Sequence, residues 1–263
     1  MDLNLQNKNA MVCGSTQGIG LAIAEELANA GAQLILVARN EAKLQEVIST
    51  LPANHGQTHQ YITADFNSPG DLKVAVKLFL EKYAAPIHIL VNNTGGPASG
   101  PIMNAHEEEF RIAFNAHLIC NHILATALIP GMRESGYGRI INIISTSVKQ
   151  ALPNLGVSNT VRAAVGNWAK TMANELGKDG ITVNNVLPGA TKTMRLESII
   201  KIKAEKTGNK EDKVSKEMLH EIPLGRFAEA ADIANAVAFL ASPAAAYITG
   251  INLPVDGGRT SCL

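Results

Sequence analysis

The chain has 263 residues with 23 basic and 23 acidic side chains, enough length to bury one substantial α/β core, and a charge balance that argues against nucleic acid as its main partner. Its three cysteines, Cys13, Cys120 and Cys262, lie far apart and form no CxxC, which speaks against a disulfide framework or a zinc site. No uninterrupted apolar run approaches ~20 residues and Met1-Asp2-Leu3-Asn4 lacks a basic-then-apolar leader, so a cytoplasmic protein without a membrane span is expected.

The first element is the most informative. A short apolar run, Ala10-Met11-Val12-Cys13, breaks into Gly14-Ser15-Thr16-Gln17-Gly18-Ile19-Gly20, and an amphipathic run from Leu21 to Ala30 follows. Strand, glycine turn and helix in that order form a dinucleotide cradle: glycines admit a pyrophosphate close to the backbone, and the helix start offers it free N–H groups. Further strands are predicted near 33–38, 58–64, 87–92, 139–145, 181–187 and 250–255, alternating with helices near 18–30, 41–51, 69–84, 105–131, 156–177 and 228–241. The strands are apolar on both sides, as buried parallel strands are, and right-handed crossovers then give a single-domain, doubly wound parallel sheet of Rossmann type in three α/β/α layers over 1–263. No repeat or linker divides it. One segment, near 192–221, departs from the pattern, with interleaved lysines and acids over 197–221. It reads as a solvated helical insertion or as a mobile lid over a substrate cleft, two readings that are compatible.

Several motifs in order resemble the short-chain dehydrogenase/reductase family across essentially the whole chain. Gly14, Gly18 and Gly20 match its glycine turn, with Cys13 where Thr is usual. Val91-Asn92-Asn93-Thr94-Gly95 is similar to its NNAG motif, with Thr94 for Ala, and Leu187-Pro188-Gly189-Ala190-Thr191-Lys192-Thr193 to its PGxxxT segment beside the nicotinamide. Ile222-Pro223-Leu224-Gly225-Arg226-Phe227, Tyr247-Ile248-Thr249-Gly250 and Val255-Asp256-Gly257-Gly258 resemble the C-terminal signatures of its 3-oxoacyl-carrier-protein reductase-like members. The resemblance implies cofactor contacts at Gly14, Thr16, Gln17, Gly18, Ile19, Gly20, Asn92, Gly95, Pro188, Gly189, Thr191 and Thr193, with Asp65 and Phe66, at the end of the third strand, beside the adenine. On their own, Asn92 and Asp65 also suit turn caps, and Pro188-Gly189 a plain turn.

Cofactor choice rests on the end of the second strand. Where NAD-binding relatives carry an acid for the ribose 2′-hydroxyl, this chain has Ala38 followed by Arg39. A missing carboxylate and an available guanidinium suit a 2′-phosphate, so NADP(H) is expected; the alternative is a solvated arginine at a strand end.

The reaction centre is altered. The resemblance places the family's Asn at Asn115 and its Ser at Ser145, which is expected to end the fifth strand. The Tyr and Lys of YxxxK fall at Ser158 and Arg162, so the motif has become SxxxR. The four tyrosines, Tyr61, Tyr83, Tyr137 and Tyr247, all lie elsewhere. Positions 158 and 162 are one helical turn apart and share a face. An aliphatic hydroxyl is a far weaker acid than a phenol, and losing a positioned acid costs on the order of 10²–10⁴-fold in rate. Arg162 keeps the cation, and with it a hydrogen bond to the nicotinamide ribose, but cannot release a proton usefully. The plainer view makes Ser158 an ordinary helix start and Arg162 a surface charge. Lys149 is either a replacement acid or a solvated loop lysine. His117 and His122 are five apart, off the i,i+4 spacing of a metal face, and read as packing or surface residues.

Apolar residues around much of helix 105–131 (Phe110, Ile112, Phe114, Leu118, Ile119, Ile123, Leu124, Leu128) and small residues in helix 156–177 (Ala163, Ala164, Gly166, Ala169) suggest a homo-oligomer interface, in a dimer or tetramer. The expected activity is NADP(H)-dependent oxidoreduction of a small carbonyl or alcohol. A cofactor-binding sensor or assembly subunit with little turnover is the alternative, and a dehydration or double-bond reduction is a third possibility.

Overall fold

A computed structural model describes residues 1–262. Seven parallel strands run in the order β3-β2-β1-β4-β5-β6-β7, with helices on both faces: β1 Asn9–Cys13, α1 Gly18–Asn29, β2 Gln33–Ala38, α2 Glu41–Thr50, β3 Gln60–Thr63, α3 Pro69–Lys82, β4 Ile89–Asn92, α4 Glu107–Phe114, α5 Cys120–Glu134, β5 Gly138–Ile143, α6 Gly156–Leu176, β6 Ile181–Pro188, α7 Met194–Thr207, α8 Glu211–His220, α9 Ala230–Ala241 and β7 Asn252–Val255. This is the doubly wound sheet the sequence predicts, and the order reverses between β1 and β4, where open α/β sheets bind ligands.

Alternation along the strands builds both cores. Ala10 and Val12 of β1, with Leu34 and Leu36 of β2, pack beneath α1 and α9; Met11 and Cys13, with Ile35 and Val37, pack on the opposite face beneath α3, α5 and α6. Both faces are covered, so the strands read as continuous apolar runs.

A polar row crosses these apolar strands. Asn92 Nδ2 donates to Asn142 Oδ1 (2.9 Å), Asn142 Nδ2 to Asn185 Oδ1 (2.9 Å), and Asn185 Nδ2 to Asn252 Oδ1 (2.8 Å). The same residues are register partners on β4, β5, β6 and β7. Asn92, Asn142 and Asn185 are buried, so each side-chain bond replaces water that cannot reach it.

Several predicted boundaries shift. The fifth strand ends at Ile143, and Ser145 instead caps a short 3₁₀ turn, Thr146–Val148, its hydroxyl accepting from Ser147 N (3.1 Å). The third strand stops at Thr63, leaving Asp65 and Phe66 in the turn beyond it. The predicted helix 105–131 is α4 and α5 joined by a π-helical segment, Asn115–Ile119, where the Cys120 N–H reaches back to the Asn115 carbonyl. The whole stretch Glu107–Glu134 is long and apolar enough to cross a membrane by length and composition, although no single apolar run predicted it; half of its most apolar window is buried within the protein. Residues 192–221 form α7 and α8, whose Leu196, Val214 and Met218 share a small apolar cluster with Ile222 and Phe227.

Replacing Asn142 with Leu strands the Asn92 amide and the Asn185 carbonyl without partners. The expected loss is about 2–5 kcal/mol of unfolding free energy in urea titration, well beyond an ordinary surface change.

Candidate active site

The glycine turn is built as a cradle. Gly14 and Gly18 have positive φ (+58° and +56°). A Cβ on Gly20 would lie 2.0 Å from the Gly14 carbonyl oxygen, so no side chain fits there. The Asn93 amide donates to the Cys13 and Gly14 carbonyls (3.1 and 3.3 Å), clamping the turn from the end of β4. Gln17 caps α1 through its backbone alone, and the first turn, with Gly18, Ile19 and Gly20, holds no acidic side chain, so its N–H groups and positive dipole are left for an anion. The Ser15 hydroxyl is buried and makes no hydrogen bond among the described residues. Thr16 is partly buried beside it. Across the cleft, Thr193 Cγ2 lies 3.3 Å from where a Gly18 Cβ would sit, so the start of α7 faces the start of α1. These features fit a dinucleotide diphosphate.

The remaining predicted cofactor residues divide. Arg39 is exposed just past β2 and makes no ion pair or side-chain hydrogen bond among the described residues, so its guanidinium is free. Asp65 accepts from Asn67 N (2.9 Å), the turn-capping role, and the buried Phe66 carbonyl accepts from Cys120 Sγ (3.3 Å). The Asn92 side chain belongs to the asparagine row, leaving its buried Oδ1 without a partner among the described residues. Gly95 is exposed on the loop after β4. Pro188 ends β6. Gly189 is held close to β7's end, where a Cβ would meet Asp256 Cα at 2.7 Å, and its carbonyl accepts from the buried Thr191 hydroxyl (3.1 Å). Thr193 Oγ1 donates to the Thr191 carbonyl (3.2 Å).

At the SxxxR position, Ser158 and Arg162 are both buried on one face of α6, and Arg162 Nε donates to Ser158 Oγ (3.3 Å). The guanidinium turns inward: Nη1 donates to the carbonyls of Ile143 (3.1 Å) and Ile144 (2.9 Å), where β5 ends. Arg162 is therefore neither a surface charge nor fully free for a ribose; only Nη2 has no partner among the described residues. Burial first, then the charge of Arg195, pulls its pKa down to about 10, so it stays protonated at neutral pH.

Two neighbours escaped the sequence reading. His117, on the π segment that begins with the partly buried Asn115, is buried. Burial, then the Arg162 charge, lowers its pKa to about 3, against an opposing pull from the Gly95 backbone. It is a neutral imidazole inside the site. Arg195, near the start of α7, donates to the Pro97 carbonyl (2.7 Å) across the cleft. Lys149, on the turn after Ser145, is partly buried with no side-chain partner among the described residues; its carbonyl accepts from Cys262 Sγ (3.6 Å). His122 lies outside the site and accepts from Trp168 Nε1 (3.4 Å). Among the described residues, no three His, Cys, Asp or Glu side chains gather as a metal site needs.

A family model described as Enoyl-(Acyl carrier protein) reductase matches residues 14–260. The chain belongs to the short-chain dehydrogenase/reductase family. Among its members, this short-chain dehydrogenase/reductase is 35% identical to the 3-oxoacyl-[acyl-carrier-protein] reductase FabG of Vibrio cholerae, over 97% of this chain and 98% of the relative. It superposes on L-sorbose reductase from Gluconobacter frateurii, solved with NADPH and L-sorbose, with a TM-score of 0.92 and 33% identity over 100% of both chains. A gluconate 5-dehydrogenase from Burkholderia cenocepacia, solved with NADP and tartrate, gives a TM-score of 0.88 at 28% identity, covering 100% of this chain and 98% of that one. Relatives of this family are oxidoreductases, and the solved ones named here carry NADP(H).

His117 predicts a pH dependence. Its folded pKa lies below the unfolded value of about 6.5, so the unfolded state binds the extra proton; its contribution is complete above about pH 6.5 and is lost as the pH falls toward about 3. About 2 kcal/mol should disappear between about pH 6.5 and pH 5. Thermal melts across this range should show the decline, and His117→Asn should flatten it.

Proposed function

We propose that this chain is an NADP(H)-dependent oxidoreductase acting on a small carbonyl or alcohol, with Asn115, Ser145, Ser158 and Arg162 around the reacting atoms. The observation that carries this reading is the anion-ready start of α1, built on glycines that leave no room for side chains, with the unpaired guanidinium of Arg39 just past β2. The helix start would receive the diphosphate, and Arg39 the 2′-phosphate. Gly95, Pro188, Gly189, Thr191 and Thr193 supply the walls toward the nicotinamide. The working assembly is a cytoplasmic homo-oligomer, supported by the exposed apolar residues Ile112 and Ile119 on the Glu107–Glu134 stretch. Residues 192–221 act as the substrate-covering segment.

When bound, the cofactor supplies or accepts the hydride. The chain's own residues handle the oxygen and its proton. Ser145 Oγ already accepts from Ser147 N, which leaves its own proton for a substrate carbonyl. Ser158 Oγ accepts from the Arg162 guanidinium, so its proton is likewise free, and the adjacent positive charge lowers the cost of negative charge on Oγ. Water then reprotonates Ser158. His117, neutral and held near Gly95, offers no acidic proton at neutral pH. Proton delivery is therefore the slow component, by on the order of 10²–10⁴ relative to a positioned acid.

A second reading, an NADP(H)-binding protein with little turnover, is favoured by the same Arg162, whose bonds to Ile143 and Ile144 give the guanidinium a structural task.

Arg39→Asp should weaken NADPH binding and strengthen NADH binding in fluorescence titrations; unchanged affinities would remove Arg39 from the phosphate site. NADPH oxidation over a panel of carbonyls separates the two readings. Measurable turnover that falls at least about 10²-fold in Ser145→Ala, and rises when Ser158→Tyr and Arg162→Lys are combined, supports the enzyme. Tight NADPH binding without turnover, unrescued by the double change, supports the second.

A further inference from the structure

Two guanidinium groups meet over Gly96. Arg162 rises from α6, nine-tenths buried, with Nε on Ser158 and Nη1 on the β5 carbonyls; Nη2 is its unused edge. Arg195 comes from the opposite wall, near the start of α7, and rests on the Pro97 carbonyl. Their Nη2 atoms lie 3.3 and 3.7 Å from one point, the place a Gly96 Cβ would occupy. No Asp or Glu among the described residues forms an ion pair with either one; the arginines that do so are Arg111, Arg133, Arg226 and Arg259. Like charges brought together in a partly dry cleft, with no acid between them, repel. The Arg195 charge already lowers the pKa of Arg162. An anion at that point would reverse the repulsion and give the idle Nη2 of Arg162 a partner.

We propose that Arg162 and Arg195 form a subsite for a carboxylate carried by the substrate, so that the substrate class is a small keto or hydroxy acid rather than a neutral carbonyl. This rests on the oxidoreductase reading above. Nη2 of Arg162 and the guanidinium of Arg195 approach from opposite walls, so together they can hold one carboxylate in a fixed orientation. The position suits this: Arg162 also holds Ser158, so an anchored carboxylate lies within reach of the same turn of α6 as the proton-handling hydroxyl. The cofactor diphosphate has its own place at the start of α1, opposite Thr193, whereas Arg195 reaches to the loop after β4. A bound carboxylate would draw Arg195 off the Pro97 carbonyl, coupling the α7 segment to substrate arrival.

The test uses the full chain at constant ionic strength, with malonate as the probe and malonamide as its neutral counterpart, by calorimetry with and without saturating NADPH. Malonate should bind and malonamide should not. Arg195→Ala should weaken malonate about tenfold, Arg195→Lys less, and both should leave NADPH affinity unchanged. The proposal is overturned if the wild type ignores malonate, or if Arg195→Ala binds it equally well. It is also overturned if Arg195→Ala loses NADPH affinity in proportion, which would assign that guanidinium to the cofactor. A wild type that takes malonate but not NADPH refutes the oxidoreductase reading while leaving the anion subsite in place.

Discussion

Everything at the upper rim of this sheet depends on four asparagines held in register across β4, β5, β6 and β7. Parallel strands joined by long crossovers have no tight turn to fix their alignment, and apolar side chains tolerate sliding more readily than paired amides do. A one-residue slip of β5 would take Asn142 out of the row and bury two unpaired amide groups. The row therefore fixes the register of these four strands against one another. From the ends of β4, β5 and β6 leave the Asn93–Gly95 loop, the Ser145 turn and the Pro188-Gly189 segment. Asn93, the next residue after the row, clamps the glycine turn, so strand register and the cradle are linked through adjacent residues.

The altered site follows from what Arg162 does with a longer, forked side chain. A point-charge ammonium at that place has three donors on one nitrogen, whereas the guanidinium spreads its donors over three. One edge serves the carbonyls where β5 ends and another the Ser158 hydroxyl. A buried cation that satisfies backbone carbonyls is anchored, and its hydrogen bonds are costly to break. At this place the guanidinium is a fixed positive scaffold. With burial, which acts more strongly, its charge keeps His117 neutral, and Arg195 adds a second positive charge beside it.

Much of this was legible in the residues. Apolar strands without alternation announced a sheet covered on both faces, and Gly14, Gly18 and Gly20 announced the cradle, because a glycine turn between strand and helix has a local cause. The shared face of Ser158 and Arg162 followed from helical spacing. What escaped depends on distant partners. The asparagine row joins residues 50, 43 and 67 positions apart, and no window of sequence contains two neighbours of it. Ile144 and Ser145 look like strand in composition, but the strand ends at Ile143, and Arg162 of α6, distant in sequence, takes the carbonyls of Ile143 and Ile144. Asn115 to Ile119 carries no residue that signals a π turn. His117 and Arg195 became site residues only when the fold brought Gly95 and Pro97 to them.

The π segment has a consequence for how this region tolerates change. Its wide turn holds one residue more than an α-helix would at the same rise, and such bulges recur at functional positions. Losing one residue between Asn115 and Ile119 would let the whole stretch from α4 to α5 heal into an unbroken α-helix with both ends still in phase. Rewinding the same residues as regular α-helix, with none lost, would instead rotate one side by about 100° relative to the other, turning either the α4 face or the α5 face away from its packing partners. The irregular turn thus acts as a phase adjuster: with it, α5 lays Leu124 and Leu128 against the sheet while Asn115 and His117 keep their places above it.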